Sequence, residues 1–206
     1  MAVGMDRTEL IRKLREMSGA GMMDCKNALE EAGWDIDKAF TILRERGVAK
    51  AAKRADRVTG QGVVESYLHS TSPDYPPQLG VLIEVNCETD FVAKGADFRK
   101  LAKELALQVA GFGARWVSRE DVPDDVLVTE REVYEAKARQ DGKPEQVIPR
   151  IVEGQVEDFL KHSCLLEQEY FREPGRTVQQ LIAENISRLQ ENITVRRFAR
   201  FNIRES

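Results

Sequence analysis

Few of the residues that carry out covalent chemistry are present in this sequence. It has two histidines, His69 and His162, so an imidazole base has only two places to come from. Its three cysteines, Cys25, Cys87 and Cys164, are odd in number and far apart. That pattern argues against a disulfide framework and for reduced, structural thiols. There is no CxxC, no HExxH and no cluster of cysteine with histidine, so no zinc site is expected. Gly19-Ala20-Gly21 and Gly60-Gln61-Gly62 lead into no glycine-lysine phosphate loop and read as turns. His162 and Cys164 are near neighbours, but no third group orients them as a nucleophile and its base. Glu88 and Asp90 could pair as acid and base, yet they sit in a short turn segment where carboxylates commonly cap helices. The sequence therefore predicts no catalytic residues, no metal and no cofactor. A protein that acts by binding and reshaping another protein fits better than an enzyme.

Long apolar runs are also lacking. None approaches the roughly 20 residues that a membrane-spanning helix needs. In the opening MAVGMDRTEL, Asp6 and Glu9 interrupt any apolar stretch, so no secretory leader is expected and a cytoplasmic place is. Nor is there an excess of positive charge: 31 Lys and Arg stand against 35 Asp and Glu, a net charge of −4. This leans against a protein that binds nucleic acid with its whole surface, while leaving room for a local basic patch. No direct nucleic-acid binding is expected. What is there, 42% hydrophobic and 32% charged residues over 206 positions, suits a folded chain of one domain or two small ones.

The organisation reads as α+β. Residues 1–47 predict three short helices. Leu10, Ile11, Leu14 and Met17 recur at helical spacing, with Asp6 or Thr8 as caps. Ser18 to Gly21 then breaks the pattern. Met22, Cys25, Ala28, Leu29 and Ala32 give a second stripe, stopped by Gly33. Asp35 opens a third through Ile36, Ala39, Phe40 and Leu43, with Gly47 as its closing glycine. A three-helix head of this size resembles a ubiquitin-associated-type domain. Residues 48–60 form a basic, alanine-rich linker, read as a solvated connecting helix or as a positive patch facing a partner. Residues 61–206 form the core. Gly62 to His69 and Leu79 to Val85 predict strands, parted by a loop whose Pro73, Pro76 and Pro77 exclude a strand. Phe98, Leu101, Ala102, Leu105, Val109 and Phe112 mark an amphipathic helix. Residues 120–162, divided at Gly142 and Pro144, suggest a helical hairpin. Val178 to Leu189 is one more helix. In the closing ITVRRFARFNI, Ile193, Val195, Ala199, Phe201 and Ile203 fall on one strand face and Arg196, Arg200 and Arg204 on the other, with Arg197 breaking the alternation. The expected fold is a small antiparallel sheet covered by helices, behind a three-helix head.

Two segments are far more specific than composition: LREMSGAGMMDCKNAL, from Leu14 to Leu29, and EVNCETDFVAK, from Glu84 to Lys94. Together they closely resemble the two signatures of the translation elongation factor Ts family, in the same order, and the resemblance runs on to the closing ENITVRRFARF. It implies nucleotide exchange on the GTPase elongation factor Tu: binding the GDP form, speeding GDP release and leaving when GTP rebinds. It implies that Thr89, Asp90, Phe91 and Val92 form the element that intrudes on the partner's magnesium and nucleotide site. Arg15, Met22 and Met23 match head positions that touch the partner's nucleotide domain. Tyr67, Leu68 and His69 resemble a further contact segment, less closely because the loop after it differs. Longer members of the family repeat the core subdomain, and this chain has room for one copy, so a homodimer is expected.

Plainer readings stand beside these. Taken without the resemblance, Phe91, Val92, Met22 and Met23 are core residues. Consecutive helical residues do not share a face, so Met23 in particular is expected to be partly core. His69 is an ordinary strand residue. Two other functions also fit parts of the chain. One is a ubiquitin-associated-type binding module. The other is an RNA-binding accessory using Lys50 to Arg57 and Arg196 to Arg204.

Overall fold

The computed structural model describes residues 6–72 and 74–204. Pro73 of the predicted proline loop, and the first five residues of the opening segment, lie outside the described residues. Among those described, the order is α1 (Arg7–Ser18), α2 (Met22–Glu31), α3 (Ile36–Ala52), β1 (Gln61–His69), β2 (Leu79–Cys87), α4 (Asp90–Ala93), α5 (Ala96–Phe112), α6 (Asp124–Gln140), α7 (Ile148–Ser163), α8 (Val178–Leu189) and β3 (Ile193–Asn202). This is the expected α+β class. The chain divides into two compact units. One comprises Met1–Gly62, Asn86–Leu101 and Gln180–Thr194. The other comprises Val63–Val85, Ala102–Gln179 and Val195–Ser206.

In the first unit, α1, α2 and α3 close on a core of Leu14, Cys25, Ala28, Leu29, Ala39 and Leu43. The breaks between helices have local causes. Gly19 adopts φ +65° after α1, and its N–H donates to the Arg15 carbonyl at 2.8 Å, the left-handed stop that glycine favours. Asp35 caps α3 by accepting from the N–H groups of Asp37 and Lys38, both at 3.1 Å. Neither Asp6 nor Thr8 caps α1 as expected: Asp6 stands at the N-cap position without a side-chain bond, and Thr8 lies inside the helix. Gly47 does not end α3. The helix continues to Ala52 and Gly47 is buried within it, because Val48 to Ala52 are residues that carry a helix on. A Cβ at position 47 would stand 3.9 Å from that of Ser187.

The second unit holds most of the sheet, ordered β1-β2-β3. The Gln78 N–H donates to His69 O at 3.0 Å, closing the β1–β2 hairpin, and the Ile203 N–H donates to Gln78 O at 3.1 Å beside the same end. All three strands therefore run antiparallel to their neighbours. On β2, Val81, Ile83 and Val85 are buried and alternate with Gly80, Leu82 and Glu84 on the opposite face. Arg200 reaches from β3 toward Ala110 O of α5 at 3.5 Å, so its neighbours in register, Ala199 and Phe201, point the other way. The expected apolar face of the closing strand is thus divided. Ile193 is buried, whereas Ala199, Phe201 and Ile203 are exposed. α6 and α7 form the predicted hairpin around Val122, Ala138, Ile148, Val152, Val156, Leu160 and Cys164. The buried Gln108 donates to Gln168 Oε1 and to Glu169 O, each at 3.1 Å, and accepts from the Phe171 N–H at 3.1 Å, so its amide is satisfied.

Candidate partner-binding site

The Thr89–Val92 segment follows the buried end of β2. Cys87 is wholly buried, and its Sγ donates to Thr89 O at 3.2 Å. Thr89 is the N-cap of α4, accepting from the Val92 N–H at 3.4 Å. The capping role considered for Asp90 therefore falls to Thr89. Asp90 instead accepts from Lys94 Nζ one turn on at 2.6 Å, and this ammonium holds its carboxyl below the usual carboxylate range. Asp90 is not paired with Glu88, whose carboxylate accepts from the Asn192 N–H at 2.7 Å. At the far end of α4, Gly95 closes the turn by donating to Val92 O at 2.9 Å. A Cβ at position 95 would lie 3.0 Å from that oxygen, so only glycine fits without a shift.

α4 has only four residues, and its one deeply buried side chain is Ala93. Phe91 is 84% exposed. The core reading of Phe91 is thereby overturned; Val92 is half-buried. The core reading of the head methionines fails as well: Met22 is 50% and Met23 64% exposed, at the start of α2. Arg15 is exposed near the end of α1, and Met17, expected in the α1 stripe, is exposed too. The head residues and Thr89–Val92 belong to the first unit and His69 to the second. His69 is exposed at the end of β1, where its Nδ1 lies 3.1 Å from the Tyr67 hydroxyl and the two rings stack.

What sequence reading missed is the group that holds this segment. Glu191, just ahead of β3, accepts through Oε2 from the N–H groups of Glu88 at 3.1 Å and Thr89 at 3.0 Å. Its Oε1 accepts from the Thr89 hydroxyl at 2.6 Å. No local signal marks it, since its partners lie a hundred residues away.

Other candidates are tied up elsewhere. Lys50 pairs with Asp24 at 2.8 Å, Arg54 donates to Gln190 at 2.7 Å and Arg57 to Glu88 at 3.4 Å. Arg196 and Arg197 both pair with Glu84, at 3.4 and 2.8 Å. Much of the basic linker is thus turned toward its own chain. Burial pushes the Cys87 and Cys164 thiols up to about 11, so neither is a thiolate near neutrality. His162 turns its Nδ1 to Asp158 O at 2.6 Å.

The comparisons with known proteins bear on the same segments. The family model for Elongation factor TS matches residues 35–205, which include α4 and Glu191. The Elongation factor Ts of Caldanaerobacter subterraneus subsp. tengcongensis is 53% identical over 193 residues, covering 94% of each chain. The chain belongs to the elongation factor Ts family. Other members are similar over nearly the full length: that of Syntrophomonas wolfei is 52% identical over 96% of this chain and 90% of its own. That of Thermosipho melanesiensis is 46% identical over 96% and 98%. Membership makes this an elongation factor of protein biosynthesis with the family's nucleotide-exchange role. Among the described residues, no helix is long and apolar enough to cross a membrane.

Proposed function

We propose that this elongation factor Ts acts on the GTPase elongation factor Tu, binding its GDP form and promoting GDP release through Thr89–Val92. The observation that carries this reading is Phe91, an apolar ring 84% exposed on a four-residue helix whose N-cap residue, Thr89, is fixed by hydrogen bonds. A bound nucleotide is held by its phosphates and a Mg²⁺. A protein that prefers the nucleotide-free partner must weaken nucleotide binding by the factor by which nucleotide weakens its own. A ring presented on a rigid turn suits that task, since it can enter a gap between partner helices without first being ordered. Asp90 then brings negative charge near the magnesium site, and its pairing with Lys94 makes it a poor metal ligand. Arg15, Met22 and Met23 supply the head contact, with His69 as a further one. The cytoplasm is the place for this work.

A homodimer is part of the same reading. It rests on the open face of the sheet, where Val64, Leu68, Leu82, Phe201 and Ile203 are exposed. The test of exchange is release of a fluorescent GDP analogue from elongation factor Tu. Substoichiometric amounts of this protein should accelerate release by orders of magnitude. No acceleration at several-fold excess rejects the reading.

A further inference from the structure

The loop that carries Phe91 is short, and little of it is buried. α4 spans Asp90–Ala93, and Glu88 is half-buried while Thr89, Asp90 and Phe91 are exposed. Buried Ala93 and half-buried Val92 hold the chain after the ring, but apolar packing does not fix the exposed residues just ahead of it. The hydrogen bonds show what does. The carboxylate of Glu191 accepts three bonds at 2.6–3.1 Å, from the N–H groups of Glu88 and Thr89 and from the Thr89 hydroxyl. Both backbone donors follow the end of β2 directly. The hydroxyl belongs to the residue that caps α4. The return contact is made by Glu88, whose Oε1 accepts from the Asn192 N–H at 2.7 Å. Two carboxylates, Glu191 binding the backbone of Glu88 and Thr89 and Glu88 that of Asn192, thus lock the start of α4 to the segment ahead of β3. Asn192 anchors that segment in turn, donating from its buried amide to Ala55 O at 3.2 Å and Arg57 O at 2.9 Å. Bonds to a charged acceptor are the stronger kind, and three on one carboxylate specify orientation as well as attachment.

We infer that Glu191 is a positioning residue for nucleotide exchange: it aims Phe91 by holding the backbone and cap of the loop two residues before the ring. The inference rests on the proposed role of Phe91 and adds to it a residue that acts through the loop carrying the ring. Without the three bonds, the 88–91 turn samples many directions, and the entropy of ordering it falls on the exchange step.

The experiment is a double-mutant cycle on GDP release from elongation factor Tu, read at saturating concentrations of this protein alongside its thermal midpoint. Glu191→Ala should slow release about tenfold or more, the scale set by losing bonds to a charged acceptor. In a Phe91→Ala background the same change should add little, because there is no ring left to aim. Glu191→Gln keeps an oxygen for the two N–H groups and can turn its amide to the Thr89 hydroxyl, so it should restore most of the rate. Independent, multiplying effects of Glu191→Ala and Phe91→Ala overturn the inference, as does a Gln variant as slow as Ala. If Phe91→Ala itself leaves release unchanged, it is the reading of Phe91 that fails. Should Glu191→Ala not fold, Thr89→Val deletes one of the three bonds from the opposite side and must show the same non-additivity.

Discussion

On the proposed reading, Phe91 is the residue at which folding and binding make opposite demands. Folding alone gains nothing from a phenyl ring in water, since its transfer out of water is worth roughly 2 kcal/mol that the isolated chain does not collect. Deleting it should leave the thermal midpoint of Phe91→Ala near that of the parent, because surface changes away from packed contacts shift stability by about 0.5 kcal/mol or less. GDP release should slow at least tenfold, as expected when an aromatic anchor worth about 2 kcal/mol or more is removed. A buried phenylalanine would instead cost about 3–5 kcal/mol on truncation, so calorimetry beside the exchange assay separates the two roles. The cysteines give a second check at this scale. Burial raises the Cys87 and Cys164 thiols from the ordinary value of 9.0 to about 11. The native protein should therefore resist iodoacetamide at pH 8, while the unfolded chain alkylates readily. The sign for stability follows. A thiol that holds its proton more tightly when folded favours the fold fully below pH 9, and that contribution is lost as the pH rises from 9 toward 11.

At the scale of elements, α3 and α4 show what pattern can and cannot reveal. The apolar stripes of α1 to α3, the α6–α7 hairpin and the three strands were legible because helical and strand periodicities are local properties of the sequence. Gly47 was misread because a glycine after a stripe looks the same whether it turns the chain or packs closely inside a helix. What decides is α8, whose Ser187 approaches it from far along the chain. The candidate site was legible as a segment, Thr89 to Val92, but its geometry was not. α4 is too short to show a period, and Glu191 acts across a separation that no window spans. The helix-interior role of Gly47 has a direct test. A new Cβ would make only an ordinary 3.9 Å contact, and glycine inside a helix costs roughly 0.5–1 kcal/mol relative to alanine. Gly47→Ala should therefore stabilise the protein by about that amount and raise its thermal midpoint by a few degrees. Had Gly47 ended the helix with positive φ, alanine would destabilise instead.

At the scale of the whole molecule, the question is what covers the second face of the sheet. Leu68 lies against Gly80, its Cδ2 standing 3.2 Å from where a Cβ of Gly80 would be, so it shares the β2 face that carries Leu82 and Glu84. Val64, at even spacing from Leu68 along β1, shares that side. Arg197 reaches Glu84 on the same face, and Ala199, Phe201 and Ile203 follow it at every second position. Leu68, Leu82 and Phe201 are 66%, 50% and 69% exposed, on a sheet of only three strands. The proposed homodimer would cover these side chains. Two copies of one face can meet about a two-fold axis, sheet on sheet, with side chains interdigitating across roughly 10 Å. The charges on the face need not oppose this, because Glu84 is already paired with Arg196 and Arg197. The three cysteines are buried and free, so the association should be non-covalent and indifferent to reductant. Light scattering at micromolar concentration should give a mass near twice the 23.3 kDa of the chain. Leu82→Asp or Phe201→Asp should bring it down to that of a single chain while the helical circular dichroism persists, since each replaces an exposed side chain and leaves the buried face of the sheet intact. A parent protein that scatters as a single chain refutes the dimer. A variant that stays dimeric with Asp at both positions moves the interface off this face.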